Sequence, residues 1–406
     1  MALRIPNIWL TDASTNREIR KECCGCSACS QKCPKNAITM EYDNEGFLYP
    51  RVNEALCVNC GLCANVCPII NANGCSIPYL KCFAGYTKDE HLLSKCTSGG
   101  FVTALSMKII EDGGEVAGVR YSEDIAKSEY HIATTQDELW ELCGSKYVQS
   151  EKKDIFKQIE ELLKNDKKVL FVGCPCDVSA ILGYLKYNYS KLLTVELVCM
   201  GVSSYRIAEE YKNYVENKYH DKLVSINARS KAKGWFVPHL EEVYGTSRRT
   251  RCNTLFGTYL GYGMQVYNRP SCFACQFRGT NGVGDIRVGD FWGIKETDDF
   301  WNPNGVSGIY VRSEKGLEAL KLLSKKDFAL FEVDYDTATQ SNMSSLHNKS
   351  EKYIQKRETF SKILKKEGLI QACIATGTVS FWARHLIPDR YHAGIKKMYH
   401  KVVDKR

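Results

Sequence analysis

Eight cysteines set the first constraint on this chain: Cys23, Cys26, Cys29 and Cys33 ahead of Pro34, then Cys57, Cys60, Cys63 and Cys67 ahead of Pro68. Both runs have one spacing, with two residues between the first three cysteines and three before the fourth. Thiolates set this closely wrap a loop around three irons of one cubane, and the fourth points at a second cluster. The spacing therefore assigns one 4Fe-4S cluster to Cys23, Cys26, Cys29 and Cys67, and another to Cys57, Cys60, Cys63 and Cys33. Zinc sites also use paired cysteines but part the two pairs by about a dozen residues or more, which this repeat does not. Cys24 has no place in the pattern and reads as an adjacent small residue.

Twenty cysteines in a small secreted domain would mean disulfides, but here nine crowd between Cys23 and Cys67, in a 406-residue chain. With 44% hydrophobic and 25% charged residues, that length supports ordinary globular cores and two or three domains. Apolar runs such as Val169-Leu170-Phe171-Val172 fall far short of the roughly 18 residues of a membrane span. The start, Met-Ala-Leu-Arg-Ile-Pro, lacks the basic and then apolar order of a secretory signal. The expectation is a cytoplasmic protein with no transmembrane segment and no nucleic-acid partner. A formal net charge of +8 reads as a solvated basic surface.

Residues 20 to 70 resemble the two-cluster bacterial ferredoxin module. That resemblance implies a small pseudo-symmetric pair of hairpins and helices, with both clusters within electron-tunnelling reach of each other. The segment between the runs, Ala37 to Met40 and then Glu45 to Pro50, reads as two short strands about a turn. Breaker residues Asn71 to Gly74 and Pro78 follow, so the domain boundaries are placed at 1–78, 79–340 and 341–406.

Beyond residue 78, strands alternate with helices. Tyr79 to Thr87 reads as a strand, and Ser98-Gly99-Gly100 opens a helix with Phe101, Val102, Leu105 and Ile109 on one face. Strands over 115–121, 168–172 and 192–198 follow, with helices near 153–165 and from Asp177. The fold class is α+β with a mixed α/β core. No G-x-G-x-x-G follows a strand, so a Rossmann site is not supported. Thr97-Ser98-Gly99-Gly100 fits a phosphate cradle at a helix start or an ordinary N-cap with glycines for close packing, and the residues alone favour the cap. Cys176 and Cys199 lie at the ends of successive apolar strands, and Cys272 and Cys275 form a close pair. These four could converge on a cluster, a zinc ion or simply buried thiols, and spacing does not separate the three.

Six motifs then occur in order: Cys96-Thr97-Ser98-Gly99-Gly100-Phe101, Gly144-Ser145-Lys146-Tyr147-Val148, Gly173-Cys174-Pro175-Cys176-Asp177, Cys199-Met200-Gly201-Val202, the Cys272/Cys275 pair, and Val288-Gly289-Asp290-Phe291-Trp292-Gly293. Over roughly residues 79 to 340 they resemble the coenzyme F420 hydrogenase/dehydrogenase beta-subunit family. The resemblance implies an FAD-binding domain with a third 4Fe-4S cluster held by Cys176, Cys199, Cys272 and Cys275. It implies flavin contacts from Ser98, Gly99, Gly100, Ser145 and Lys146. The segment holding Arg229, Lys231, Gly234 and Trp235 is expected near the flavin face. Two departures stand out: Cys174 and Asp177 occupy a stretch where relatives read Gly-Thr-Pro-Cys-Gln, and Met200 replaces a His.

From about Tyr335 the chain turns helical and basic, and Phe381 to Arg406 reads as an amphipathic cationic tail, a surface helix or docking arm with membrane-surface contact as the sharper alternative. The functional expectation is a flavin- and iron-sulfur-dependent oxidoreductase. It would pass electrons between clusters and a flavin that exchanges a hydride with F420 or another soluble substrate, with F420, ferredoxin or other redox subunits as partners. The alternatives are a non-catalytic electron-transfer subunit of a larger complex and an F420-independent reductase of a sugar or other intermediate. No catalytic residue is assigned.

Overall fold

The computed structural model describes residues 22–71, 77–186, 189–279, 281–340 and 349–386. Near the N-terminus each cysteine run leads into a single turn of helix, Ala28–Gln31 and Leu62–Asn65. Both turns are entered through a left-handed residue, Ser27 at φ 63° and Gly61 at φ 75°. Between them β1 (Ile38–Tyr42) and β2 (Leu48–Val52) pair antiparallel, with Ile38 opposite Val52. This two-fold repeat of loop, turn and strand is what the duplicated spacing calls for.

Among the described residues the largest sheet has nine strands. In chain order they are β3 (Lys81–Thr87), β4 (Glu115–Tyr121), β5 (Ser128–Ala133), β6 (Ser150–Glu151), β7 (Val169–Gly173), β8 (Leu192–Leu197), β12 (Ile286–Asp290), β13 (Ser307–Val311) and β14 (Phe328–Val333). The spatial order is β14-β3-β13-β12-β8-β7-β4-β5-β6. Its centre, β12-β8-β7-β4, is parallel, and β12-β13, β13-β3, β3-β14 and β4-β5 are antiparallel. Central parallel strands are covered on both faces and so read as unbroken apolar runs. Val169 and Phe171 join the core beneath helices Ile155–Lys164 and Pro175–Leu185, while Leu170 between them joins the core beneath helix Phe101–Glu111. That alternation is the two-residue period of a strand. The expected strand over 115–121 coincides with β4, and the expected helix from Asp177 begins earlier because Pro175 sits at its first turn, where a missing N–H costs nothing.

A second sheet, β9 (Leu223–Ser230), β10 (His239–Tyr244) and β11 (Thr250–Thr254), packs with helices Tyr205–Tyr219 and Tyr259–Val266. The C-terminal helices Glu351–Glu367, Leu369–Thr376 and Val379–Leu386 bury Phe360, Leu364, Cys373 and Phe381 in this same core. So do Cys23, Phe47 and Tyr49 of the N-terminal module. The helical C-terminal segment therefore shares a core with both preceding segments. Phe381, read from sequence as the start of a surface tail, is buried against Tyr262 with ring centres 4.4 Å apart. The rest of the basic tail, from residue 387, lies outside the described residues. Among the described residues no helix is long and apolar enough to cross a membrane.

Polar contacts hold the N-terminal module in place. Glu45 accepts from Arg357 Nη2 at 2.5 Å and from Ser361 Oγ at 2.6 Å. Gln31 Oε1 accepts from the Phe156 N–H at 2.9 Å. At the hairpin turn Gly46 has φ 77°, and a Cβ there would lie 2.4 Å from Ser204 Oγ, so only glycine fits.

Candidate metal centres and cofactor cleft

Cys23, Cys26, Cys29 and Cys67 line one small cavity, with Cys24 beside them. Cys33, Cys57, Cys60 and Cys63 line another. The fourth cysteine of each run thus lies with the first three of the other. No carboxylate or imidazole lines either cavity, and thiol donors alone, gathered in fours, suit an iron-sulfur cluster. Among the described residues no set of three or more Cys, His, Asp or Glu side chains stands ready to hold a single metal ion. The two cavities differ in depth. All four cysteines of the first are buried, whereas Cys60 is exposed and Cys33, Cys57 and Cys63 are partly so.

Burial pushes the Cys29 thiol up and that of Cys67 up to about 12, so bare thiolates are disfavoured there and a cationic metal core would have to displace the protons. Burial also raises Cys23, and the largest opposing influence is the charge of Arg269. Arg269 has no exposed surface. Its Nε donates to Cys23 O at 2.7 Å, its Nη1 to Gln149 Oε1 at 3.0 Å, and its guanidinium carbon lies 4.0 Å from the Tyr49 ring centre.

The third cysteine group sits at the carboxyl ends of the parallel strands, the edge where open α/β sheets build their sites. Cys174 follows β7, Cys199 follows β8, and Cys272 lies in the 3-10 turn Pro270–Ala274 just ahead of Cys275. The neighbouring Cys174 thiol pulls Cys199 down to about 7. Cys272 and Cys275 both feel the charge of Cys199. Cys176, which the family resemblance puts in this set, is influenced most by Cys24, whose own thiol is lowered by the neighbouring Cys176 and Cys26. Among the described residues Cys174, Cys176, Cys199, Cys272 and Cys275 therefore gather at this edge, with Cys174 the thiol that influences Cys199 most. Sequence reasoning left out both Cys174 and Cys24. Their one signal was an extra cysteine beside each expected ligand.

The departure at Asp177 has a structural partner. Its carboxylate lies 3.1 Å from Lys152 Nζ and accepts from Tyr130 OH at 3.0 Å, all three side chains being buried. Met200 is half exposed. Next to it Gly201 has φ 118°, and a Cβ there would fall 1.9 Å from Asn268 Oδ1. Beneath the site Glu196 is completely buried. It accepts from Val283 and Gly284 N–H at 2.9 Å each and pairs with Arg287 and Arg312 at 2.8 Å each. It thereby fixes the loop that follows Cys275. Losing one partner of such a buried network typically costs about 3–5 kcal/mol.

The residues expected around a flavin gather beside the start of helix Phe101–Glu111. Gly100, at φ 80°, precedes the helix without any side-chain cap, leaving its first N–H groups free of that partner. Gly99 is required by packing, since a Cβ would lie 2.2 Å from Gly85 O and 2.5 Å from Ser307 N. Ser98 Oγ donates to Val306 O at 2.8 Å, and the hydroxyls of Thr97 and Ser145 are 3.5 Å apart. Lys231 Nζ donates to the carbonyls of Leu93 and Ser98 at 2.6 Å each. Trp235 Nε1 donates to Asp290 Oδ1 at 2.9 Å, and its ring stacks on Trp292 with centres 5.1 Å apart. Arg229 pairs with that same Asp290 at 3.0 Å. Gly144 and Gly234, both left-handed, have nothing within 4 Å of a would-be Cβ, so open space borders both loops. Lys146 Nζ donates to the carbonyls of Cys143 at 2.6 Å and Glu141 at 2.9 Å, capping helix Gln136–Leu142. Burial draws Lys146 and Lys231 each down to about 8. Uncapped N–H groups, hydroxyls and two lysines form a donor set that fits an anionic cofactor.

Comparison with known proteins matches three family models. Residues 22–70 match a 4Fe-4S dicluster domain. Residues 82–157 match the N-terminal part, and residues 166–334 the C-terminal part, of coenzyme F420 hydrogenase/dehydrogenase, beta subunit. Among curated proteins, the coenzyme F420 hydrogenase subunit beta of Methanococcus voltae is 26% identical over 248 residues, covering 59% of this chain and 79% of that protein. That of Methanosarcina barkeri is 25% identical over 251 residues, covering 59% and 77%. Among solved structures, a chain of the xenon-derivatised F420-reducing [NiFe] hydrogenase complex from Methanosarcina barkeri aligns with a TM-score of 0.46 at 18% identity, covering 71% of this chain and 94% of that one.

Proposed function

We propose, from the premise that this chain belongs to the coenzyme F420 hydrogenase/dehydrogenase beta-subunit family and carries a 4Fe-4S dicluster domain, that it is an iron-sulfur flavoprotein linking one-electron carriers to a soluble two-electron donor or acceptor such as F420. One observation carries the reading. Cys24 lines the buried N-terminal cavity and lies near enough to Cys176 for each thiol to shift the other's proton affinity, so that cavity and the third cysteine group adjoin. With the second cavity at the surface, the cysteines form a graded path from an exposed entry to the sheet edge. Twelve of these thiols are proposed as ligands: Cys23, Cys26, Cys29 and Cys67; Cys33, Cys57, Cys60 and Cys63; and Cys199, Cys272 and Cys275 with Cys176 or Cys174.

A flavin bound in the cleft would supply the exchange between hydride and single-electron chemistry. The chain's own residues bind and orient. The first-turn N–H groups of helix Phe101–Glu111, which no side chain caps, and the ammonium of Lys231 would face an anionic group, Ser98 and Ser145 would supply polar contacts, and the Trp235–Trp292 stack would flank it. Arg229 and Asp290 hold that stack in register with the end of β12. The experiment is an anaerobic titration of the full chain with reduced F420, and separately with NADH and NADPH. The reading expects one donor to bleach flavin and cluster absorbance together. Cluster bleaching by dithionite with no flavin bound and no response to any hydride donor would leave an electron-transfer subunit without its own hydride chemistry.

A further inference from the structure

Two cysteines outside the cluster groups lie on either side of the Thr103 hydroxyl. Cys96 ends the short helix Glu90–Lys95, and Cys143 ends helix Gln136–Leu142. The hydroxyl of Thr103 bridges them, accepting from Cys96 Sγ at 3.2 Å and lying 3.5 Å from Cys143 Sγ. Sharing that one hydroxyl, the two thiols are close neighbours, and each shifts the other's proton affinity. Cys96 is buried, at 5% exposure, whereas Cys143 is partly open to solvent. Neither fits the spacing of the other cysteine groups. An accessible thiol backed by a buried one is the arrangement that thiol–disulfide exchange requires.

We infer that Cys143 and Cys96 are a reversible dithiol/disulfide site that reacts with low-molecular-weight disulfides, Cys143 as the attacking thiol and Cys96 as the resolving one. The neighbouring Cys96 thiol, together with the Thr103 hydroxyl and the nearby charge of Lys146, outweighs burial and lowers Cys143 to about 7, so much of it is thiolate at neutral pH. In the first step Cys143 sulfur bonds to one sulfur of the small disulfide, whose other half leaves as a thiolate. Cys96 then attacks the Cys143 sulfur, its proton passes to solvent, and the second half leaves. In balance, two protein thiols lose two hydrogens and one disulfide becomes two thiols. The bond ties the Thr97–Gly100 loop to the Gly144–Lys146 loop, which already meet through the hydroxyls of Thr97 and Ser145.

The test uses the full chain with its clusters intact, incubated anaerobically with oxidised glutathione, differentially alkylated and mapped by mass spectrometry. The expected product is one peptide pair joined through Cys96 and Cys143, reversed by dithiothreitol, with cluster absorbance unchanged. Cys96→Ser should instead leave a stable glutathione adduct on Cys143. Thr103→Val, which alters neither sulfur, should slow the exchange about tenfold through the lost hydrogen bond. An unmodified Cys143, or a glutathione adduct that persists on Cys143 in the unaltered chain, would overturn the assignment.

Discussion

Arg269→Met removes a buried charge that joins the inner cluster site to the rest of the molecule. The guanidinium donates to Cys23 O and Gln149 Oε1, and Gln149 in turn accepts from Leu48 N–H at 3.1 Å and donates to Cys24 O at 3.3 Å. Two hydrogen bonds from a charged donor contribute about 1.5–3 kcal/mol each, and the desolvated cation–π contact with Tyr49 about 2 kcal/mol more. Methionine is free of the guanidinium's desolvation cost, which returns several kcal/mol. The net loss should be about 2–4 kcal/mol, seen as a lower thermal midpoint of the anaerobic protein. The sharper readout is electrochemical. Arg269 stabilises negative charge at Cys23, so without it the inner cluster should become harder to reduce, while the cluster near exposed Cys60 keeps its potential. Arg269→Lys keeps the charge but not the fork, and should restore the potential better than the stability. Equal shifts of both clusters, or no shift of either in an EPR-monitored titration, would refute the reasoning.

Cys33→Ala should abolish the EPR signal of the cluster held by Cys57, Cys60 and Cys63 rather than that of its own run, whereas Cys24→Ser should leave both intact. For the third group, Cys174→Ala and Cys176→Ala separate the two candidate fourth ligands: iron content should fall by about four per chain in one variant and hold in the other. Lys146→Ala should weaken flavin binding roughly ten- to a hundred-fold, the effect of a lost charge-assisted contact of about 1.5–3 kcal/mol, read by ultrafiltration and fluorescence. Since Lys146 and Lys231 are cationic only below about 8, flavin affinity in the unaltered chain should be full at lower pH and decline as pH rises past that value.

How much of this was readable beforehand depended on whether a feature is set locally. The gathering of Cys33 with Cys57, Cys60 and Cys63 follows from a duplicated spacing, which fixes loop geometry before any tertiary contact forms. Strand β4 and the buried face of helix Phe101–Glu111 were legible because period and breakers, Gly113 and Gly114, agree. The partner of Cys176 was not, because the ferredoxin-like module docks through contacts more than a hundred residues apart in sequence, such as that from Phe156 N–H to Gln31. The same holds for the C-terminal helices, whose basic composition reads as surface while Phe360 and Phe381 complete a core begun at Phe47. Composition reports a segment's outer face, and the burial of its inner face depends on what packs there. Lys146 shows the limit at one residue: the motif names a cation, but only the fold reveals that it caps the carbonyls of Glu141 and Cys143.

The central claim is that one chain holds three clusters and a flavin in electronic contact, and the most direct measurement is iron, zinc and flavin per chain on anaerobically purified protein, followed by an EPR-monitored redox titration of that sample. The account predicts about twelve irons, no zinc, about one non-covalent flavin, and magnetic coupling between the inner N-terminal cluster and the third one, whose sites adjoin at Cys24. About eight irons with zinc at the third group, or three clusters with no flavin retained or bound, would contradict it.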